Sequence, residues 1–264
     1  MEWFRTAFGL YTLQSAAKVR QLIQYRVDFF FGVLLTFGFS IMGPLFQFLI
    51  FTKTRGYPGW TFDQMLVLQG VLLTSTGICN SLFGGVRQQI DQLVQRGELD
   101  RLLLKPFPPL MLLLTGGFSP YAVGTIILGI VVLSLACARA GIVVLASSVA
   151  LFLLMLSAGV VLFAAAVILY AALSVRWVYT GRLGEIIDKV WQFGEFPSEI
   201  YPPALSTVFM TALPLMVFAY WPAQALLGRL SPMAWLALAG AVAVCALAAL
   251  GWRRQLRRYT SAGG

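Results

Sequence analysis

The chain has 264 residues, of which 59% are hydrophobic and only 11% charged, and its formal net charge is +9. A soluble domain carries about 25% charged residues, and a soluble fold of this length could not hide so much apolar surface. The basic residues gather at the ends of apolar runs, so their counter-charge is anionic lipid rather than nucleic acid.

Residues 1–27 lack the apolar core of a secretory leader, and Arg5, Lys18, Arg20 and Arg26 run through them. Phe4, Phe8 and Tyr11, then Val19, Leu22 and Ile23, recur at helical spacing. They predict an amphipathic helix lying in the membrane interface, where Trp3, Phe4, Phe8 and Tyr11 suit the headgroup boundary. Residues 29–51 clear the roughly 20 apolar positions that a span needs, with Pro44 as a kink site. A polar loop with Gly56, Pro58 and Gly59 comes next. The second span is 65–86. Its lower half holds Thr74, Ser75, Thr76, Asn80 and Ser81, which either face another helix or line a path, since hydrocarbon cannot satisfy them.

Residues 87–109 form a charged loop. Asp91, Leu93 and Val94, then Glu98, Leu99, Leu102 and Leu103, fit one or two short helices broken at Gly97. Pro106, Pro108 and Pro109 stop any helix before the next span. The third span is 110–138, with Gly116, Gly117 and Pro120 placed to break its first turns. A tight turn at 139–141 leads to a fourth span, 142–175, longer than a bilayer requires.

Residues 176–228 admit two readings. Hydropathy puts a span at 205–227 and leaves 176–204 as a loop. Alternatively, a polar helix at 182–197 enters the membrane, and 205–227 is a re-entrant pair of short helices broken at Pro214 and Pro222. Such segments are tolerated where protein or water covers them. The last span is 233–252, followed by the basic run RRQLRRY.

Charge fixes the orientation. Thirteen basic residues (Arg5, Lys18, Arg20, Arg26, Arg87, Arg96, Arg101, Lys105, Arg176, Arg253, Arg254, Arg257 and Arg258) fall on one side, against four (Lys53, Arg55, Arg139 and Arg229) on the other. Lys and Arg accumulate in cytoplasmic loops. The expectation is six spans with both termini and the 87–109 loop in the cytoplasm.

The chemistry is sparse. There is no histidine, which excludes Ser-His-Asp and Cys-His catalysis and the usual zinc motifs. Cys79, Cys137 and Cys245 each sit in an apolar run and read as small hydrophobes. No phosphate-binding loop occurs, so the chain cannot cradle a nucleotide by itself. Outside 182–197 no carboxylate pair lies at membrane depth, which argues against an ion-coupled carrier. Within it stand Glu185, Asp188, Lys189 and Glu195, with Glu185 and Lys189 at i,i+4 spacing. That segment is either an interfacial helix or a transport site.

Four stretches carry a resemblance. RGELDRLLLKP after the second span resembles the first cytoplasmic loop of type-2 ATP-binding-cassette (ABC) exporter permeases, in the bacterial branch with compact six-helix chains. EFPSEIYPPALSTVFMTALPLMVFAYWPA, WRRQLRRYTSAGG and YRVDFF resemble that branch's segment before the last span, its C-terminal signature and its entry into the first span. They stand in register over the whole chain.

The resemblance implies an all-α polytopic membrane protein in the bacterial inner membrane. It would be one permease domain over 1–264, with six transmembrane helices, an amphipathic N-terminal interface helix and a re-entrant outer segment before the last helix. It implies a second permease subunit, identical or related, and two ABC ATPase subunits. ATP and Mg would be held by those partners, with no cofactor on this chain. Gly97, Glu98, Leu99, Asp100, Arg101, Lys105 and Pro106 would couple to the ATPase. Thr74, Thr76, Asn80, Glu185, Asp188, Lys189 and Pro214 are candidates for the substrate path or for subunit packing. It also favours the second reading of 176–228. An ATP-independent carrier or channel is the alternative.

Overall fold

Long apolar runs can satisfy their backbone in hydrocarbon only as helices or closed barrels. The computed structural model describes residues 2–142, 145–177 and 181–259, and among these the chain is helical with no strand. Five helical stretches are long and apolar enough to cross a membrane: Arg26–Lys53, Phe62–Gln95, Pro120–Arg139, Ala146–Arg176 and Met233–Arg257. The fold is an all-α, polytopic membrane bundle.

An N-terminal helix, α1 (Glu2–Gln24), precedes the long α2 (Arg26–Lys53). The side chains of Trp3, Phe4, Leu22 and Ile23 lie outside the described residues. A capping box at Thr61 and Gln64 starts α3 (Phe62–Phe83). Almost without interruption α4 (Val86–Gln95) continues it. A short α5 (Leu99–Leu103) leads on to α6 (Pro109–Thr115), with Pro109 at the first helical position, where a missing N–H costs nothing.

The third apolar run is broken where its glycines and proline fall. After α6 come Gly116 and Gly117, a 3-10 turn at Pro120–Ala122 and then α7 (Val123–Arg139). The break leaves carbonyls without helical partners. Lys18 Nζ on α1 donates to Gly116 O at 2.6 Å and to Phe118 O at 2.8 Å. Gly117 O accepts from the Gly85 N–H at 2.9 Å. Partial burial pushes the Lys18 ammonium below its ordinary range. Tyr11 meets Phe118 edge-on, with ring centroids 6.0 Å apart.

The tightest helix pair is α3 with α7. A Cβ at Gly70 would stand 2.6 Å from Leu133 Cα, and one at Gly129 would stand 2.5 Å from Thr74 N. Backbones touch there because no side chain separates them. Thr74 Oγ1 turns back to its own helix, donating to Gly70 O at 2.7 Å.

The fourth run is α8 (Ala146–Arg176), 31 residues long. The chain beyond α8 decides between the two readings of 176–228. A polar helix, α9 (Gly181–Gln192), ends earlier than 197 and passes into 3-10 turns at Phe193–Glu195 and Ser198–Ile200. At 1.5 Å per residue, α9 is about 18 Å long and does not reach the length of a span. The chain nonetheless travels the bundle's length through it. Asp188 meets Arg87 at one end, and Glu199 meets Trp60 at the other.

The single span at 205–227 is overturned. The stretch divides into α10 (Pro203–Met210), a 3-10 turn at Leu215–Val217 and α11 (Tyr220–Leu226). It leaves the Glu199 level, descends until Val217 and Phe218 lie against Gly159 of α8, and returns to Arg229 beside Gln64. The break falls around Pro214 as expected. Pro222 does not break anything. It sits in the first turn of α11, where its lost N–H would have had no intrahelical partner. The last helix, α12 (Met233–Arg257), packs along α8.

Two apolar clusters result. One surrounds Met65, Leu68, Val71, Met216 and Trp221, and the other surrounds Ile90, Leu99, Leu113, Tyr170 and Trp252. The second lies at the end bearing Lys18, Arg87, Arg101 and Arg254, which we call the basic end.

Candidate functional site

The loop at the basic end is built by one glycine. Gly97 has φ +66°, a left-handed conformation that side chains resist. Its N–H bonds to Val94 O at 3.2 Å, and the Glu98 N–H bonds to Leu93 O at 2.8 Å. This pair of bonds is the Schellman closure of a helix, and it turns the chain from α4 into α5. Leu99 and Leu102 are buried against the bundle. Arg101 pairs with Glu98 at 3.4 Å and keeps its side chain 81% exposed. Leu104 is 85% exposed, between Arg101 and the exposed Lys105 and Pro106. Of the residues expected to couple outward, Leu99 is occupied in the chain's own core. The sequence reading missed Leu104, whose signal is an apolar side chain off the Leu99–Leu102 stripe.

Just above that loop α4 is tied to two other helices. Arg87 reaches Asp188 of α9 at 2.6 Å, and its guanidinium lies 5.5 Å from the Tyr170 ring centroid. Tyr170 OH on α8 donates to the Asp91 carboxylate, with its oxygens at 2.9 and 2.8 Å. Arg87 and Asp91 are one turn apart on α4, so one face of α4 holds both α8 and α9.

Above the Arg87–Asp188 pair is a cavity of 280 Å³ between α3, α8 and α9. It is walled by Phe83, Phe163, Trp191 and Phe218. Beyond it a groove of 1080 Å³ runs between α2 and α3, lined by Gln47, Gln69, Leu72 and Phe39 among others. Thr76, Asn80 and Glu195 line both. The two spaces therefore adjoin across these three residues, and we refer to the pair as the corridor. Gln47 is 2% exposed, and its Oε1 has no partner among the described residues.

A sequence profile described as ABC-2 family transporter protein matches residues 37–263. The chain belongs to that family. No curated protein and no solved structure matches it.

The resemblance carried by RGELDRLLLKP is thus borne out, and the chain is a multi-pass membrane permease of the ABC-2 type. Permeases of this family are membrane components, generally without catalysis, that work in association with ABC ATPases. In this ABC-2 chain the expected path residues divide. Thr76 and Asn80 face the corridor, and Asp188 closes its floor. Thr74 is spent on the α3–α7 seam. Glu185 and Lys189 are exposed on α9 and form no ion pair among the described residues, whereas Asp188 pairs with Arg87. Pro214 is buried beside Gly240 of α12 and packs the hairpin.

At the opposite end a second acidic residue went unrecognised. Glu199 accepts from Trp60 Nε1 at 3.1 Å and from Tyr220 OH at 2.9 Å, fastening the hairpin to the α2–α3 loop. Arg139 and Asp63 pair there at 3.0 Å. These partners come from distant parts of the chain and leave no local pattern.

Proposed function

We propose that this chain is the path-forming subunit of an ATP-driven exporter in a bacterial inner membrane, with both termini cytoplasmic. In this reading a second permease, identical or related, completes the pore, and two separate ABC ATPases, holding ATP and Mg, dock at the α4–α5 loop. Gly97 carries the proposal. Its left-handed turn seats Leu99 and Leu102 inward and leaves Glu98, Asp100, Arg101, Leu104 and Lys105 at the rim.

The connections of α4 supply the mechanism. Closure of the ATPases pushes α5. Because α4 is tied to α8 and α9 by Asp91–Tyr170 and Arg87–Asp188, the push moves all three helices as a body. Rigid-body rocking of that kind opens a path at one end while closing it at the other. The charges at the loop set register with the motor more than affinity, whereas Leu104 supplies apolar contact. The test is co-expression with the cognate ATPase. Leu104→Asp, and Glu98, Asp100 and Arg101 replaced together by alanine, should each abolish co-purification or export at equal membrane abundance. If both variants assemble and export like the parent, the loop is a solvated connector and the docking site lies elsewhere.

A further inference from the structure

We infer that the corridor is a binding site for an organic cation with an apolar body, and that Glu195 is its counter-charge. The inference rests on the reading of the chain as a path-forming subunit and names what takes the path. In the groove, Glu195 is the only charged residue of the lining. In the cavity, Arg87, Asp188 and Glu195 are charged, but Arg87 and Asp188 are paired at 2.6 Å. Arg87 is further occupied by the Tyr170 ring. One negative charge is left over, and Glu195 has no hydrogen bond or ion pair among the described residues. An uncompensated carboxylate among apolar walls is costly. Water can offset part of that cost, and a cation offsets it better.

The walls add a second, independent feature. Phe163 and Phe218 stack with centroids 6.3 Å apart, Phe83 and Phe163 at 6.4 Å, and Trp191 stands edge-on to Phe218 at 4.8 Å. Aromatic faces attract cations, and boxes of them recognise substituted ammonium groups. Aromatic walls with one carboxylate suit a substituted ammonium head, which is weakly hydrated and gives up its water readily. They suit neither an anion, which the carboxylate repels, nor a sugar, which needs many hydrogen bonds. At 280 Å³ the cavity takes the head, and the 1080 Å³ groove beyond Thr76 and Asn80 takes the body.

The probe is phenyltrimethylammonium, with the full chain in lipid nanodiscs and binding read by equilibrium dialysis. Saturable binding is expected. Glu195→Gln should weaken it by about tenfold or more, the loss of one charge-assisted contact, with an unchanged melting temperature. Glu195→Asp, which keeps the charge, should bind within about threefold of the parent. Trp191→Leu removes an aromatic face and no charge, and should also weaken binding. The uncharged isostere tert-butylbenzene and the anion benzenesulfonate should not displace the probe. The proposal is overturned if the parent shows no saturable binding, if Glu195→Gln binds like the parent, or if benzenesulfonate displaces the probe as well as unlabelled cation does. ATPase co-purification is followed in the same preparations. Its absence from the parent would sink the exporter reading while leaving the binding result standing.

Discussion

The two faces of α3 are made from the same 22 residues and behave oppositely. One face meets α7 through Gly70, Gly77 and the Thr74–Gly129 contact, so closely that a single methyl would strike backbone. The other turns Gln69, Thr76 and Asn80 toward open space. Polar residues two positions apart therefore fall on opposite faces of the helix. Thr74 satisfies itself on its own helix so that the backbones can approach. Thr76, two residues on, lines the groove and the cavity instead. The rigid seam lets the neighbouring face stay loose, because a helix held on one side does not need packing on the other.

Breaking the seam should have the largest effect. Gly129→Leu drives a side chain into the Thr74 backbone, and Gly70→Leu into that of Leu133. Overpacking costs about 1–3 kcal/mol, and backbone cannot step aside, so the upper end applies. The apparent melting temperature in detergent should fall by about 6 °C or more, with a matching loss of membrane abundance. A parent-like melting curve for both would mean that α3 and α7 are not in backbone contact.

The clasp on α4 comes next, and it should separate stability from function. Arg87 and Asp188 are partly exposed, so Arg87→Ala should shift stability by no more than about 1 kcal/mol. Export should nonetheless drop sharply, since α4 no longer carries α9. The charge exchange Arg87→Asp with Asp188→Arg should recover part of it. Recovery that fails in the exchange, with both singles equally inactive, would point to Arg87 acting on the substrate rather than on α9.

A smaller change is expected from Thr76→Val. The melting curve should stay put, and only the range of exported compounds should move. A fall in melting temperature as large as for Gly129→Leu would place Thr76 in the seam and erase the contrast between the faces. Smallest of all, Glu185→Gln and Lys189→Gln should change neither stability nor export, because both side chains face outward from α9. A defect in either would mean that the exposed side of α9 meets a partner.

The long spans were legible because their cause is local: twenty apolar residues announce themselves, and Gly97 announces a turn. The break at Gly116–Pro120 and the hairpin at Pro214 were legible for the same reason. Pro222 misled, since a proline breaks a helix interior but suits a first turn, and sequence alone does not say where a helix starts. The length of α9 was overestimated because Phe193–Pro197 is apolar enough to continue it, while the 3-10 turns that end it answer to packing. Gly194 lies against Leu215 of the hairpin, 21 residues on. The pairings were not legible at all. Glu185–Lys189 looked right by spacing, but Asp188 found Arg87, 101 residues away. Glu199, Tyr170 and Lys18 carry no signal until the helices are assembled.

The Lys18 contact has a consequence for how the protein is made. Its acceptors lie 98 and 100 residues further along the chain. Ribosomes add about 5–20 residues per second, so α1 leaves the exit tunnel several seconds before its dock exists. Through that interval two later spans are inserted while the N-terminal helix waits at the surface, its ammonium held by water and anionic headgroups. Docking of α1 through Lys18 is thus a late step of assembly. It can occur only after the third apolar run has entered and broken in the right place.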